Sequence, residues 1–447
     1  MKKSIIYMIS SLLAICLVWV SYFVEREQFI FFFILYFFSF AAFLVLYQSF
    51  RKNDSLKFGI QLSLILRVLL LFVIPNLSND FYRFIWDGRM SVLGFNPFTV
   101  LPNDFIGTEN MAMVGKDAQK LYDGQGSLSP GNYTCYPPVN QVFFIIPAFL
   151  FPQNIFFSIV LMRLMIIGAE IGTIHFGRKI LRKLNLPESN ILLYALNPFV
   201  IIELTGNLHF EAVTVFFLVV AVYYLLSEKW LPSALFMTLS VSVKLIPLIF
   251  LPVFLKRLGQ NRTLKYSLFV ILGSIILFLP FFSQELGSNF MSSIDLYFRK
   301  FEFNASIYYI IRWIGYQTHG WNIIQKAGPL LGIVVFVVVL LLSIIPKNQN
   351  PKQLMVSMLF AVSIYYFFST TVHPWYLAVP LILSVFTRYR FMIVWSLLVM
   401  LSYNAYQFDD FQENLWFNMV EYGLVFGFLI GEALSKNSVQ FKSTKLI

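Results

Sequence analysis

The stretch NDFYRFIWDGRMSVLGFNPF, residues Asn79 to Phe98, puts four charged side chains and several aromatic rings directly after an apolar run and before a long polar loop. Read as a helix from about Phe81, it places Asp80, Arg83 and Asp87 at i, i+3 and i+7, so two carboxylates and a guanidinium share one face. Asp80, following Ser78 and Asn79, also suits a helix N-cap, and Asp87-Gly88-Arg89 also reads as a solvated turn. Capping and chemistry are compatible, and the rest of the chain reads as scaffold around this segment.

The surroundings fix the class. Of 447 residues 58% are hydrophobic and 12% charged, more apolar surface than a soluble core can hide, so the sequence predicts an all-α polytopic membrane protein. Apolar runs at 4–24, 28–50 and 58–76 are each long enough to cross about 30 Å of hydrocarbon. Later runs at 154–176, 190–205, 211–227, 264–282, 329–346, 353–371, 375–387, 391–404 and 416–434, with a short pair at 231–243 and 245–255, bring the expectation to about 13–14 crossings. The piece 139–151 is shorter and interrupted by Pro147, which suits an interfacial helix at the end of a large first outer loop, 77–140. A second outer loop spans 283–327. The N-terminal run lacks a small-residue cleavage site and reads as a retained helix. The chain 1–447 is expected to form a single membrane domain.

The net charge of +11 does not point to nucleic acid, because the basic residues are scattered between apolar runs. Under the topology above, 21 Lys and Arg lie inside, 9 outside and 3 (Arg67, Arg163, Lys244) within helices. That bias places both termini in the cytoplasm and the loop 77–140 on the periplasmic or extracellular face. Cys16 and Cys135 fall at different depths, so no disulfide is expected.

Further polar groups collect at the outer ends of helices: Glu203, His209 and Glu211 in ELTGNLHFEA, Lys244 in SVSVKLIP and His373 in TVHPWYL. Singly, each reads as interfacial or snorkelling; together they mark a site, since charge between helices is costly. Nucleophile triads, phosphate loops and metal clusters are missing from the sequence, so neither cofactor nor metal is expected. The remaining set suits acid–base and electrostatic work. A flippase would concentrate charge at the midplane, where only Arg67 and Arg163 are candidates. An O-antigen-type polymerase or ligase would have a more basic large loop than four Lys or Arg over 77–140.

Five blocks, DFYRFIWDGRMSVLGFNPF, TCYPPVNQVFF, LNPFVIIELTGNLHFEA, VSVKLIPLIFLPVFL and HPWYL, resemble the GT-C superfamily of polyprenyl-phosphate-sugar-dependent glycosyltransferases. The likeness is to bacterial mannosyltransferase-like members related to the GPI mannosyltransferases. It implies a lipid-linked donor, mannose as the sugar, a glycan or glycolipid acceptor and an essential Asp in the first outer loop. Asp80 matches that position and Asp87 the second acidic one. The implied mechanism is an inverting displacement with Asp80 as base. Lys244, His373 and Arg83 would serve the leaving phosphate, His209 and Glu211 the sugar hydroxyls, and Arg89 would be oriented with Arg83 by Asp87. The sequence departs from the simplest family pattern in having two helices before the one that leads into the catalytic loop.

Overall fold

A computed structural model describes residues 2–407 and 411–443, without the side chains of 297, 298 and 436–443. Among the described residues the chain is helical, with one isolated parallel bridge, Phe303 to Thr371, in place of any strand. In hydrocarbon a backbone must satisfy its own polar groups, which helices do within the segment. Six helices are long and apolar enough to cross a membrane: Lys3–Phe23, Phe29–Lys52, Ile155–Lys183, Gln260–Phe281, Ile324–Ser343 and Leu415–Ser435. The pair Glu188–Ala195 and Val200–Gly206, bent by 61°, adds a seventh if it is one broken span. Other expected crossings are shorter apolar helices, Glu211–Leu226, Trp230–Val243, Pro374–Val385 and Phe391–Tyr406, as is the piece expected to be interfacial, Pro138–Leu150. The expected C-terminal end, residues 444–447, lies outside the described residues.

Two local expectations are corrected. Residues 245–255 do not form an α-helix but two short 3₁₀ segments, Ile246–Phe250 and Pro252–Phe254. Pro247 and Pro252 each remove a backbone donor there, so an α-helical ladder cannot form. The charged helix runs Asp80–Val92, so Asp80 is its first helical residue rather than its cap, and Asp87 lies in its interior, buried, rather than in a solvated turn.

The helix Asp80–Val92, here α1, lies against Pro138–Leu150, here α2. Phe84 stacks on Phe144 at 4.6 Å, with Phe210 and Tyr136 edge-on. Gly88 makes the approach possible, because a Cβ there would sit 2.2 Å from the main-chain oxygen of Phe144. That oxygen cannot rotate away as a side chain can. Gly88→Ala should therefore cost at least the upper end of the usual overpacking range, about 3 kcal/mol. The check is the melting temperature of the purified protein in detergent; an unchanged value would show that the two helices separate freely.

The charges deep in the helices are committed to structure. Arg67 is paired with Glu170 at 2.6 Å, Tyr194 donates to the same carboxylate at 2.7 Å, and both partners of the ion pair are fully buried. Arg163 donates to the carbonyls of Thr205, Gly206 and Leu71 at 2.8 to 2.9 Å. It thereby caps the C-terminal end of the π-helical turn Val200–Gly206, whose carbonyls would otherwise be orphaned. The two cations expected at the midplane are thus already partnered.

Candidate active site

A single cavity of about 1080 Å³ brings together Asp80, Arg83, His209, Glu211, Lys244 and His373. Asp87 and Arg89 do not line it. Its other limb is apolar: Leu248, Ile249 and Pro252 of the 3₁₀ segments face Leu331, Val335 and Val339, which lie four residues apart on one face of Ile324–Ser343. The polar rim includes Arg26, Asn79, Ser127 and Asn132.

Asp80 sits at the N-terminus of α1, where the helix dipole favours negative charge. Its side chain is 32% exposed, open to the cavity in the depth of the fold. The Tyr136 hydroxyl donates to Oδ2 at 3.5 Å, and His209 Nε2 is 4.0 Å away. Burial raises the Asp80 pKa above the ordinary carboxylate value; His209 and Lys244 pull it back, and Glu211 pushes with burial.

Arg83 and Asp87 share the buried side of the same helix. Arg83 Nε donates to Asp87 Oδ1 at 2.6 Å, and its Nη1 donates to the carbonyls of Ser129 and Asn132 at 2.8 and 2.9 Å. Gln141 ties the arrangement to α2, donating to Thr134 at 3.1 Å and to the Tyr136 carbonyl at 3.2 Å. Arg89 pairs with Asp117 and donates to the Val114 carbonyl at 3.1 Å. These three charges therefore fasten the loop that follows α1 onto the helix and present Tyr136 to Asp80.

Lys244 follows the helix Trp230–Val243 in an extended conformation, which turns its side chain into the cavity. It is paired with Glu211, and its Nζ lies 3.9 Å from the centre of the Tyr376 ring, a cation–π distance. His373 arrives on a segment pinned by the bridge to Phe303, with Phe303 N donating to Thr370 O at 3.0 Å and Val372 N to Phe303 O at 2.8 Å. Its ring is stacked between Trp375, at 4.6 Å and 3°, and Phe303, at 4.8 Å. Burial, with Lys244 and His209 nearby, pushes its pKa down to about 3, so it is neutral and can donate a hydrogen bond but brings no charge.

His209 stacks on the other side of Trp375 at 3.8 Å and 15°. The preceding Leu208 has φ +63°, a conformation costly for a bulky residue and held by the surrounding core. Burial alone would lower the His209 pKa, but the hydrogen bond and charge of Glu203, with Asp80 and Glu211, outweigh it and raise it.

Tyr136, Trp375 and Tyr376 belong to the site without having been singled out. The first lies in TCYPP and the others in HPWYL, so their blocks were marked although their roles were not. Tyr403, which donates to Glu203 at 2.8 Å from 200 residues away, carries no local signal at all.

Comparison with known proteins gives two family matches. The model described as alpha-(1->6)-mannopyranosyltransferase, N-terminal domain, matches residues 15–258, more than half of the chain, and the one described as ALG3 protein matches residues 206–355. No curated protein matches the chain. The first match contains Asp80, Asp87, His209, Glu211 and Lys244, and the second overlaps it over the last three. A chain of apolar helices with its charges gathered in one cavity, matched over more than half its length, belongs to the alpha-(1->6)-mannopyranosyltransferase family and is a membrane glycosyltransferase.

Proposed function

We propose that the protein moves a mannosyl group, with inversion, from a polyprenyl-phosphate donor to a hydroxyl of a glycan or glycolipid acceptor, at the outer face of the cell membrane. The observation that carries this reading is the cavity with two limbs. A carboxylate stands at the polar end, an apolar groove at the other, and a lysine between them. A polyprenyl chain cannot leave the bilayer, since each buried methylene is worth about 0.8 kcal/mol, so such a donor must enter sideways with its tail along an apolar wall. Leu331, Val335 and Val339 supply that wall.

In the reaction Asp80 takes the proton of the acceptor hydroxyl while its oxygen attacks the anomeric carbon. The bond from that carbon to the phosphate oxygen breaks, and polyprenyl phosphate leaves with the electron pair. No glycosyl-enzyme is formed, so no second carboxylate is needed as nucleophile. Lys244 stabilises the charge gathering on the phosphate, His373 donates to it as a neutral imidazole, and His209 and Glu211 face the sugar. Asp87, Arg83 and Arg89 support the loop. Residues 1–447 act as one membrane domain, its buried core running from Leu13 to Val425. The direct test is reconstitution of the purified protein with radiolabelled polyprenyl-phosphate mannose and membrane extract. Label passing to a new product supports the reading, and label remaining on the donor with every fraction refutes it.

The outer face rests on the division of 21 basic residues inside against 9 outside. Gly124 cannot be used as a reporter, because a side chain there would meet the Tyr82 ring at 2.5 Å. Glu109 is exposed. In a background with Cys16 and Cys135 replaced, Glu109→Cys should react with an impermeant maleimide in intact cells or spheroplasts. Reaction only after lysis would reverse the topology.

A further inference from the structure

We propose that Glu203, which does not line the cavity, is a positioning residue that holds the His209 ring toward Asp80 and makes His209 the counter-charge of the base. The inference rests on the reading of Asp80 as general base.

Glu203 is fully buried in the π-helical turn. One carboxylate oxygen accepts from Tyr403 at 2.8 Å; the other lies 3.3 Å from His209 Nδ1. The same Nδ1 is 2.8 Å from the main-chain oxygen of Glu203, so it carries a proton and donates. A buried carboxylate oxygen is costly unless a cation stands beside it, and among the described residues the ion-pair partner of Glu203 is the imidazole. Stacking on Trp375 fixes the plane of the ring and favours its charged form.

With Nδ1 committed to Glu203, Nε2 must point the other way. It lies 3.2 Å from Ser78 Oγ and 4.0 Å from Asp80 Oδ2, and the Asp80 N–H donates to that same Ser78 Oγ at 3.4 Å. The Glu203 carboxylate, the imidazole and the Asp80 carboxylate thus follow one another from the protein interior to the cavity, with the Ser78 hydroxyl bridging Nε2 to the Asp80 main chain. The arrangement has the logic of a buried carboxylate that sets the tautomer and direction of a histidine, with the histidine here acting by charge on a neighbouring base. The other charged or titratable groups around the ring are Glu211 from the helix Glu211–Leu226, Lys244 beyond it, and His373 on the far side of Trp375.

The test is the pH dependence of mannosyl transfer by the full-length protein in detergent or nanodiscs, with radiolabelled polyprenyl-phosphate mannose. An opposite charge at this distance lowers a carboxyl pKa by about 1 to 3 units. Glu203→Gln should therefore move the acid limb of kcat to higher pH by about 1 to 3 units and recover activity above the shifted limb. Glu203→Asp should restore the limb in part. His209→Gln should shift it in the same direction, which keeps the test open if Glu203→Gln does not fold. An unmoved limb in whichever of these variants folds, or an equal loss at every pH, would overturn the pairing. If Asp80→Asn retains transfer, it is instead the base assignment that fails, whatever the Glu203 variants do.

Discussion

Asp80→Asn should insert, fold and retain donor while losing about 10²- to 10⁴-fold of its transfer rate, the usual worth of a general base. Asn matches the shape of Asp but cannot take the acceptor proton. The structure adds that the substitution is mild for the fold. Asp80 is not the cap of its helix, and its partners are one long hydrogen bond from Tyr136 and the more distant His209. Losing the charge at the helix N-terminus forfeits about 0.3–1 kcal/mol and relieves some desolvation. Because burial raises the Asp80 pKa, wild-type transfer should fall as pH drops through that raised value, the base being lost on protonation. Asp87→Asn should behave differently. It leaves Arg83 buried beside the carbonyls of Ser129 and Asn132 without its carboxylate, which typically costs about 3–5 kcal/mol. Its deficit should appear as a lowered melting temperature together with reduced transfer. The measurement is kcat and thermal stability of both variants side by side. Near wild-type transfer by Asp80→Asn removes the assignment, and a stable but inactive Asp87→Asn moves the base there.

Much of this was legible because membranes make sequence patterns blunt. Long apolar runs can only be helices in lipid, so Phe29–Lys52 and Ile155–Lys183 follow from length alone. Costly charges near helix ends stand out for the same reason, which is why six of the eight chosen side chains line one cavity. What was not legible was how each charge is used. Asp87 at i+4 from Arg83 looks the same in sequence whether it faces substrate or a loop, and only the folded loop at 129–134 shows that Arg83 spans the two. The 245–255 segment reads simply as apolar, although Pro247 and Pro252 already forbid a continuous α-helical ladder and leave short 3₁₀ segments. Glu203 was visible as an outer-end carboxylate, but its partner Tyr403, and the Trp375 ring that stacks on His209, lie far along the chain, where no spacing rule connects them.

Lys244→Met should lower transfer by about 10²- to 10³-fold, the scale expected when one donor to developing charge is removed from a site that excludes water. Met keeps the apolar stem, and so separates charge from packing. The competing explanation is local: Lys244 is paired with Glu211, which is buried, so the substitution also strands a carboxylate and can disturb the site without any phosphate being involved. The double variant Lys244→Met/Glu211→Gln separates the two. Gln removes the stranded charge and still offers hydrogen bonds to a sugar hydroxyl. If Lys244 serves only to neutralise Glu211, the double variant should return to near wild-type transfer. If it serves the leaving phosphate, removing Glu211 restores nothing, because the charge that lacks a partner is then on the substrate. The extended backbone at Lys244 and the Tyr376 ring beneath its ammonium favour the second outcome, since both aim the side chain into the cavity at the junction of the polar and apolar limbs. Full recovery in the double variant would leave the phosphate without its cation and force the donor headgroup toward Arg83 or Arg26, the remaining guanidinium groups on the cavity wall.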